Sequence, residues 1–160
     1  MITIVPFSVE HTSGIHALIL PIQQVEFAIP ITLDAQPDLR DIAGFYRRGD
    51  GNFWVALQGH EVVGTVALLD IGNGEAALRK MFVAASHRGA EQGVARRLLD
   101  TLTAWCEAKG LRAIYLGTTE KFLAAHRFYE KHGFRAIAQA DLPAAFPVMA
   151  VDTRFYCRTS

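Results

Sequence analysis

The spacing of apolar positions changes several times along the chain, and each change marks an element. Ile2, Ile4 and Val5 precede Pro6, which predicts a short first strand that ends early or lies at an edge, since proline has no N–H for a ladder. Thr12 or Ser13 can cap a helix. Beyond them Ile15, Leu18, Ile19 and Ile22 recur at helical spacing, and Pro21 disturbs the register. A kink is expected there. Residues 26–36 show little periodicity. Pro37 suits the first turn of a second helix carrying Leu39, Ile42 and Tyr46, which residues 47–51 close.

Three strand-like runs follow at 52–58, 61–70 and 75–83, separated by Gly59-His60 and by Ile71-Gly72-Asn73-Gly74. Connections this short leave no room for a crossover helix, so consecutive pairing must be antiparallel, a meander. In the third run, simple alternation puts Ala77, Arg79, Met81 and Val83 on one side and Ala76, Leu78, Lys80 and Phe82 on the other. Neither side is purely apolar, which places one end of this strand beside a polar site or solvent. The period then returns to helical. Val94, Leu98, Leu102 and Trp105 form a stripe over 93–109 that Gly110 ends. A strand at 111–116, a helix at 120–132 terminated by Gly133, and closing strands at 134–137 and 147–156 complete a β-α-β-α-β half, with 141–146 as a loop. No repeat or low-complexity linker divides the chain, so residues 1–160 are read as one α/β domain, a mixed, mostly antiparallel central sheet flanked by helices.

Composition narrows the function. A hydrophobic fraction of 51% and a charged fraction of 20% exclude wholesale disorder. Sixteen Lys plus Arg balance sixteen Asp plus Glu, so no global basic field exists to collect nucleic acid, and no nucleic-acid partner is expected. The same neutrality leaves self-association, such as a homodimer, easy to accommodate. The first residues show no basic region leading into a long apolar run, and other uncharged stretches are broken by Pro and polar groups, so a soluble cytoplasmic protein without membrane association is expected. Cys106 and Cys157 lack paired spacing and are expected to be inert thiols. The six histidines form no metal-ligand ladder, and no metal is called for.

Between the third meander strand and the long helix lies Ser86-His87-Arg88-Gly89-Ala90-Glu91-Gln92-Gly93-Val94-Ala95. Two glycines and a small alanine allow close backbone approach. Unpaired amides at a helix start can receive phosphate oxygens, and Arg88 can add a charge-assisted contact. Read alone, the segment is equally a glycine-containing surface loop. It has neither the three-glycine dinucleotide spacing nor the Gly-Lys-Ser/Thr ending of a triphosphate loop.

Three blocks together give the chain a resemblance, over essentially its full length, to the GNAT family of acyl-CoA-dependent N-acetyltransferases. They are 78–83 followed by Arg88-Gly89 and 93–99; Ile114-Tyr115-Leu116; and Ala125-His126-Arg127-Phe128-Tyr129-Glu130-Lys131-His132-Gly133-Phe134, the most specific. The resemblance implies acetyl-CoA as acyl donor, with Met81, Phe82 and Val83 along the pantetheine arm and Arg88, Gly89, Gln92, Gly93, Val94 and Ala95 around the phosphates. Two positions depart from the family pattern. Ala90 stands where Arg or Gln is usual, with Arg88-Gly89 displaced as by a local insertion. Phe122 stands where Asn is usual, leaving Thr118 or Thr119 to make the polar contact to the arm.

The resemblance also implies that Tyr129 protonates the departing sulfur, a role open to a phenol; from periodicity alone it is a packing residue on the Phe122-Ala125-Tyr129 face. For the base, Glu26 is the candidate by position, as base or amine-binding carboxylate, with a surface or capping role as the alternative, and a water relay can replace it. Glu75 starts the third meander strand, about 26 Å from Val83 at roughly 3.3 Å per residue, and is expected at a turn or surface. His87, His126 and His132 are expected in a loop, on a helix surface and at a helix end. The segment 142–147, with Phe146 between prolines, and Asp152, Arg154, Phe155 and Tyr156 can border an acceptor pocket or simply close the domain. The expected reaction is acetyl transfer to an amine of a small molecule or short peptide. A noncatalytic acyl-CoA-binding module is the competing expectation.

Overall fold

Short glycine turns force the first half of the chain to fold back on itself, and the computed structural model, which describes residues 1–89 and 91–159, shows the resulting meander. Strands β1 (Ile2–Pro6), β2 (Asn52–Gln58), β3 (Glu61–Gly72) and β4 (Glu75–Val83) pair antiparallel in that order. β5 (Ala113–Thr118), β6 (Arg135–Ile137) and β7 (Arg154–Thr159) extend the sheet to seven strands in the order β1-β2-β3-β4-β5-β7-β6. Among the described residues the β4–β5 pair alone is parallel, and it is brief: Glu75, Ala76 and Ala77 face Ala113, Ile114 and Tyr115, and then the strands part.

Helices cover both faces. On one side α4 (Val94–Lys109) buries Val94, Leu98, Leu99, Leu102 and Cys106 against Trp54, Val66, Leu78 and Leu116. Each large apolar side chain sealed there contributes about 1.5–3 kcal/mol. Gly93 and Gly110 bound α4 in left-handed conformations, which glycine adopts at low cost. α5 (Leu123–Lys131) adds Tyr129 to the same core. On the opposite side α1 (Thr12–Pro21), α2 (Pro37–Arg40) and α3 (Ile42–Tyr46) bury Ile15, Ile19, Leu39, Ile42 and Tyr46 against Phe53, Val55 and Ala67. Pro21 does not break α1; the backbone loosens there into a π-helical turn over Ile22–Glu26.

Three expectations need correction. The predicted helix at 37–46 is two short pieces divided at Asp41, whose carboxylate accepts the Gly44 amide and caps the second. The closing strand spans Arg154–Thr159 rather than 147–156; an irregular loop precedes it, where two prolines restrict pairing. Simple alternation along β4 also fails. Thr65 pairs with Phe82 but Ala67 with Arg79, so β4 carries one extra residue, a bulge at Lys80 with φ +53°. The bulge shifts the facing by one. Leu78, Met81 and Val83 join the α4 core, while Arg79, Lys80 and Phe82 turn towards α2, α3 and their core.

Candidate active site

Where β4 and β5 separate, a cleft of about 790 Å³ opens through the sheet. β4 contributes Leu78 to Val83, β5 contributes Leu116, Gly117 and Thr118, and the start of α4 contributes Gly93, Ala95 and Arg96. α5 lines it with Ala125, Phe128 and Tyr129, and the segment following α1 with Gln23, Phe27 and Ile29. The bulge is held by Thr65, whose hydroxyl donates to the Lys80 carbonyl at 2.7 Å. A non-glycine residue in the left-handed region costs roughly 1–2 kcal/mol. This strain sits in the wall of the cleft.

Tyr129 is buried to 5% exposure, wedged against Phe128, Phe134 and Tyr156. Its hydroxyl makes no hydrogen bond among the described residues, and the ring lines the cleft. Burial pushes the phenol's pKa well above its ordinary value, so it keeps its proton across the neutral range. The packing face expected from periodicity and the opening towards the cleft belong to one side chain.

Glu26 and Arg88 form a bidentate ion pair across 62 residues of sequence, one arm at 2.8 Å, with each side chain 37% exposed. The Arg88 hydrogen bonds hold the Glu26 carboxyl below its ordinary pKa. Neither feature suits a base: both oxygens are engaged and their proton affinity is reduced. Arg88 also donates from Nε to the Val83 carbonyl at 2.8 Å, so its guanidinium ties the loop to β4 and to the turn after α1. In this arrangement it does not point its donors at the start of α4.

That helix start is nonetheless receptive. The first intrahelical bond runs from the Arg97 amide to the Gly93 carbonyl, Gly93 offers no side-chain cap, and the amides of Val94, Ala95 and Arg96 precede it. A Cβ at Gly93 would meet nothing within 4 Å, so the approach is open. The amides of Gln92 and Gly93 are engaged by the Gly89 carbonyl, and Val94 is a core side chain that offers only backbone. The Ala90 departure lies outside the described residues. At β5, Thr118 lines the cleft, whereas Thr119 does not; it is buried, and its carbonyl accepts from His126 Nε2 at 2.9 Å and from the Phe122 amide.

Several neighbours differ from expectation. His126 is buried at the base of α5, not on a helix surface, because it anchors the β5–α5 loop through Thr119. Glu75 is buried at the paired end of β4, near Tyr115 and Arg112, outside the cleft. Burial raises both thiols' pKa values, that of Cys106 to about 12, which removes thiolate at neutral pH. Among the described residues no group of three His, Cys, Asp or Glu side chains can hold a metal ion, and no helix is long and apolar enough to cross a membrane.

Comparison with known proteins bears on this geometry. Residues 19–134 match the model of the acetyltransferase (GNAT) family. The chain belongs to the GNAT family, a class of acetyl-CoA-dependent N-acetyltransferases. A Staphylococcus aureus Mu50 GNAT acetyltransferase structure superposes with a TM-score of 0.95, at 39% identity over 99% of both chains. N-acetyltransferase 8F1 of Rattus norvegicus is 31% identical over 72% of this chain, and N-acetylaspartate synthetase of Danio rerio 34% identical over 65%. The chain spans between about a third and a half of the length of the curated relatives it matches, 54% of the rat protein and 37% of the Danio rerio one.

Two cations of the GNAT cleft are not among the site residues expected from the sequence. Arg79 and Lys80 enter it at the bulge, beside Asp38, which is buried to 3% side-chain exposure. Asp152, noted only as a possible border, lines the cleft against Gly117, where a Cβ would lie 2.6 Å from its Oδ2. The mixed polarity of β4 was the one sequence signal for the first pair. Nothing local marks Asp38, which comes close only because α2 folds over the bulge.

Proposed function

We propose that this chain transfers the acetyl group of acetyl-CoA to the amine of a small molecule by direct attack on the thioester, with Tyr129 giving its proton to the departing sulfur. Acetyl-CoA supplies the activated acyl group. The chain's own part is to hold that donor, seat the amine and move protons. The uncapped amides of Val94, Ala95 and Arg96 suit a pyrophosphate, and the parted β4 strand at Met81, Phe82 and Val83, facing Thr118, suits the amide-bearing arm. Tyr129 lines the same cleft as those residues.

The observation that carries this reading is Tyr129 itself: a buried phenol without a protein hydrogen-bond partner among the described residues, lining the gap between the strands. A leaving thiolate in the same apolar surroundings is also more basic than in water, so the proton has somewhere favourable to go. A small acceptor is supported by relatives named N-acetylaspartate synthetase, at 34–36% identity.

The test is to incubate purified protein with acetyl-CoA and a broad panel of amines while following free CoA and acylated product. Product is expected, and Tyr129→Phe should lower kcat by about 10²-fold or more with CoA binding retained. Tight CoA binding with no product across the panel would favour an acyl-CoA-binding module instead.

A further inference from the structure

Two cations stand in the wall of the acceptor side of the cleft, and their partners are unequal. Lys80, 8% exposed, donates to Gln36 Oε1 at 2.7 Å and lies 3.6 Å from Asp38 Oδ2. Gln36 is itself fixed by a reciprocal pair of hydrogen bonds with Gln23, at 2.9 and 3.0 Å. Tyr46 donates to the same Asp38 oxygen at 2.5 Å. That carboxylate is therefore committed to Tyr46 and Lys80.

Arg79 receives much less. Its side chain is 13% exposed, yet among the described residues no oxygen lies within hydrogen-bond distance of its guanidinium. Among the described residues the nearest carboxylate, Asp38, is 3.9 Å away, and the guanidinium's one acceptor is the Met149 thioether at 3.7 Å. The rings of Phe45 and Tyr46 stack against the charge with centroids 5.5 and 5.9 Å from Cζ. Stacking occupies the faces of a guanidinium and leaves its edge, of whose five N–H donors one makes the long contact to Met149, for something else. Across the same pocket, Met149 also gives its amide to Asp152 Oδ2 at 2.9 Å, whereas Asp152 Oδ1 has no partner among the described residues. Burial raises the Asp152 pKa, against the lowering pull of Arg79 and Lys80. One thioether-bearing residue thus separates a guanidinium edge from a carboxylate oxygen, both in the wall of the cleft.

We propose that the acceptor is an amino-acid-like molecule, a primary amine carrying a carboxylate: the Arg79 guanidinium takes the acceptor's carboxylate, and Asp152 takes its ammonium. This rests on the acetyl-transfer reading above and specifies the class of its substrate. The phosphates of the donor do not serve as the anion at Arg79, because four steps along β4, about 13 Å, separate it from Val83 and the loop beyond. The proton balance closes. Of three protons on the ammonium, one passes through Asp152 to solvent before attack. As the C–N bond forms and the C–S bond breaks, a second replaces the proton that Tyr129 hands to sulfur. The third stays in the amide.

The wild-type protein is assayed with acetyl-CoA against L-amino acids, their α-amides and the corresponding decarboxylated amines, all at one pH and ionic strength. The amino acids should be preferred in kcat/KM by about 10–100-fold, the range of a charge-assisted hydrogen bond. Arg79→Met should raise KM for amino acids by a similar factor and narrow that preference, with KM for acetyl-CoA retained. Asp152→Asn should lower kcat across all amines. Acetylation of amides and decarboxylated amines as efficiently as amino acids overturns the carboxylate site and leaves acetyl transfer standing. Acetylation of no amine in any set removes both. The wild-type comparison decides the matter even if a variant does not fold.

Discussion

Phe122 meets Phe27 edge to face, with ring centroids 4.5 Å apart, where the β5–α5 loop reaches across to the segment that follows α1. Phe82 of β4 lies 6.5 Å from Phe122 on its other side. Lys121 reinforces the crossing by donating to the Phe27 and Ala28 carbonyls at 3.1 and 3.4 Å. An aromatic residue at 122, unusual in the pattern the sequence resembles, therefore builds a wall of the cleft. Phe122→Ala should lower stability by about 1 kcal/mol from the lost ring pair, beyond its area term, and should raise KM for acetyl-CoA. Denaturant midpoints and initial rates check both.

Glu26→Gln tests the ion pair with Arg88. The folded-state pKa of Glu26 is depressed, so the pair stabilises above the unfolded pKa, and that contribution disappears as pH falls through the folded value. The substitution should therefore flatten the acid limb of stability against pH, leaving the alkaline limb alone. Exposure of both side chains limits the effect through solvent screening. Midpoints of urea unfolding between pH 3 and 7 would show it; identical acid limbs in both proteins would mean the pair contributes nothing.

Asp38→Asn should be among the most damaging single changes. It leaves Lys80 in the cleft wall without its anion and weakens the acceptor of the Tyr46 hydroxyl, at a cost of about 3–5 kcal/mol. Chemical denaturation measures the loss. Adding Lys80→Met should recover part of it, since the two sites are coupled.

Gly93→Ala separates conformational cost from crowding. The φ of +68° penalises any L side chain by roughly 1–2 kcal/mol, while the surrounding space is open. A modest fall in thermal midpoint is expected, with a larger rise in KM for acetyl-CoA because the methyl group stands before the α4 amides.

Much of this architecture is legible in the chain because local rules govern it. The hairpin turns at Gly59-His60 and Gly72-Asn73-Gly74 dictate antiparallel neighbours, and the Val94, Leu98, Leu102 stripe bounded by glycines admits one reading, an amphipathic helix. What escaped depends on distance or register. A one-residue bulge at Lys80 reverses every later side chain of β4, yet no residue type announces it. The Glu26–Arg88 pair joins segments 62 residues apart, and the burial of Asp38 and His126 follows from tertiary packing that periodicity does not encode. At the candidate site, Tyr129 and the Gly93 loop belong to a motif and Asp152 is expected beside an acceptor pocket, whereas Arg79 enters the cleft only through the bulge and the packing of α2 and α3 over it.

Three rungs join β4 to β5, and beyond Ala77 the sheet has an interior seam rather than an outer edge. An outer edge is shielded from other proteins by charge or bulges, but a seam flanked by its own strands admits only something thin, extended and able to exchange amide hydrogen bonds with both sides. A linear ligand with peptide-like groups would complete the ladder as an additional strand. On the proposed reading, selectivity for such a donor is a property of backbone spacing, and it should tolerate side-chain replacement along β4 better than any change in where the two strands diverge.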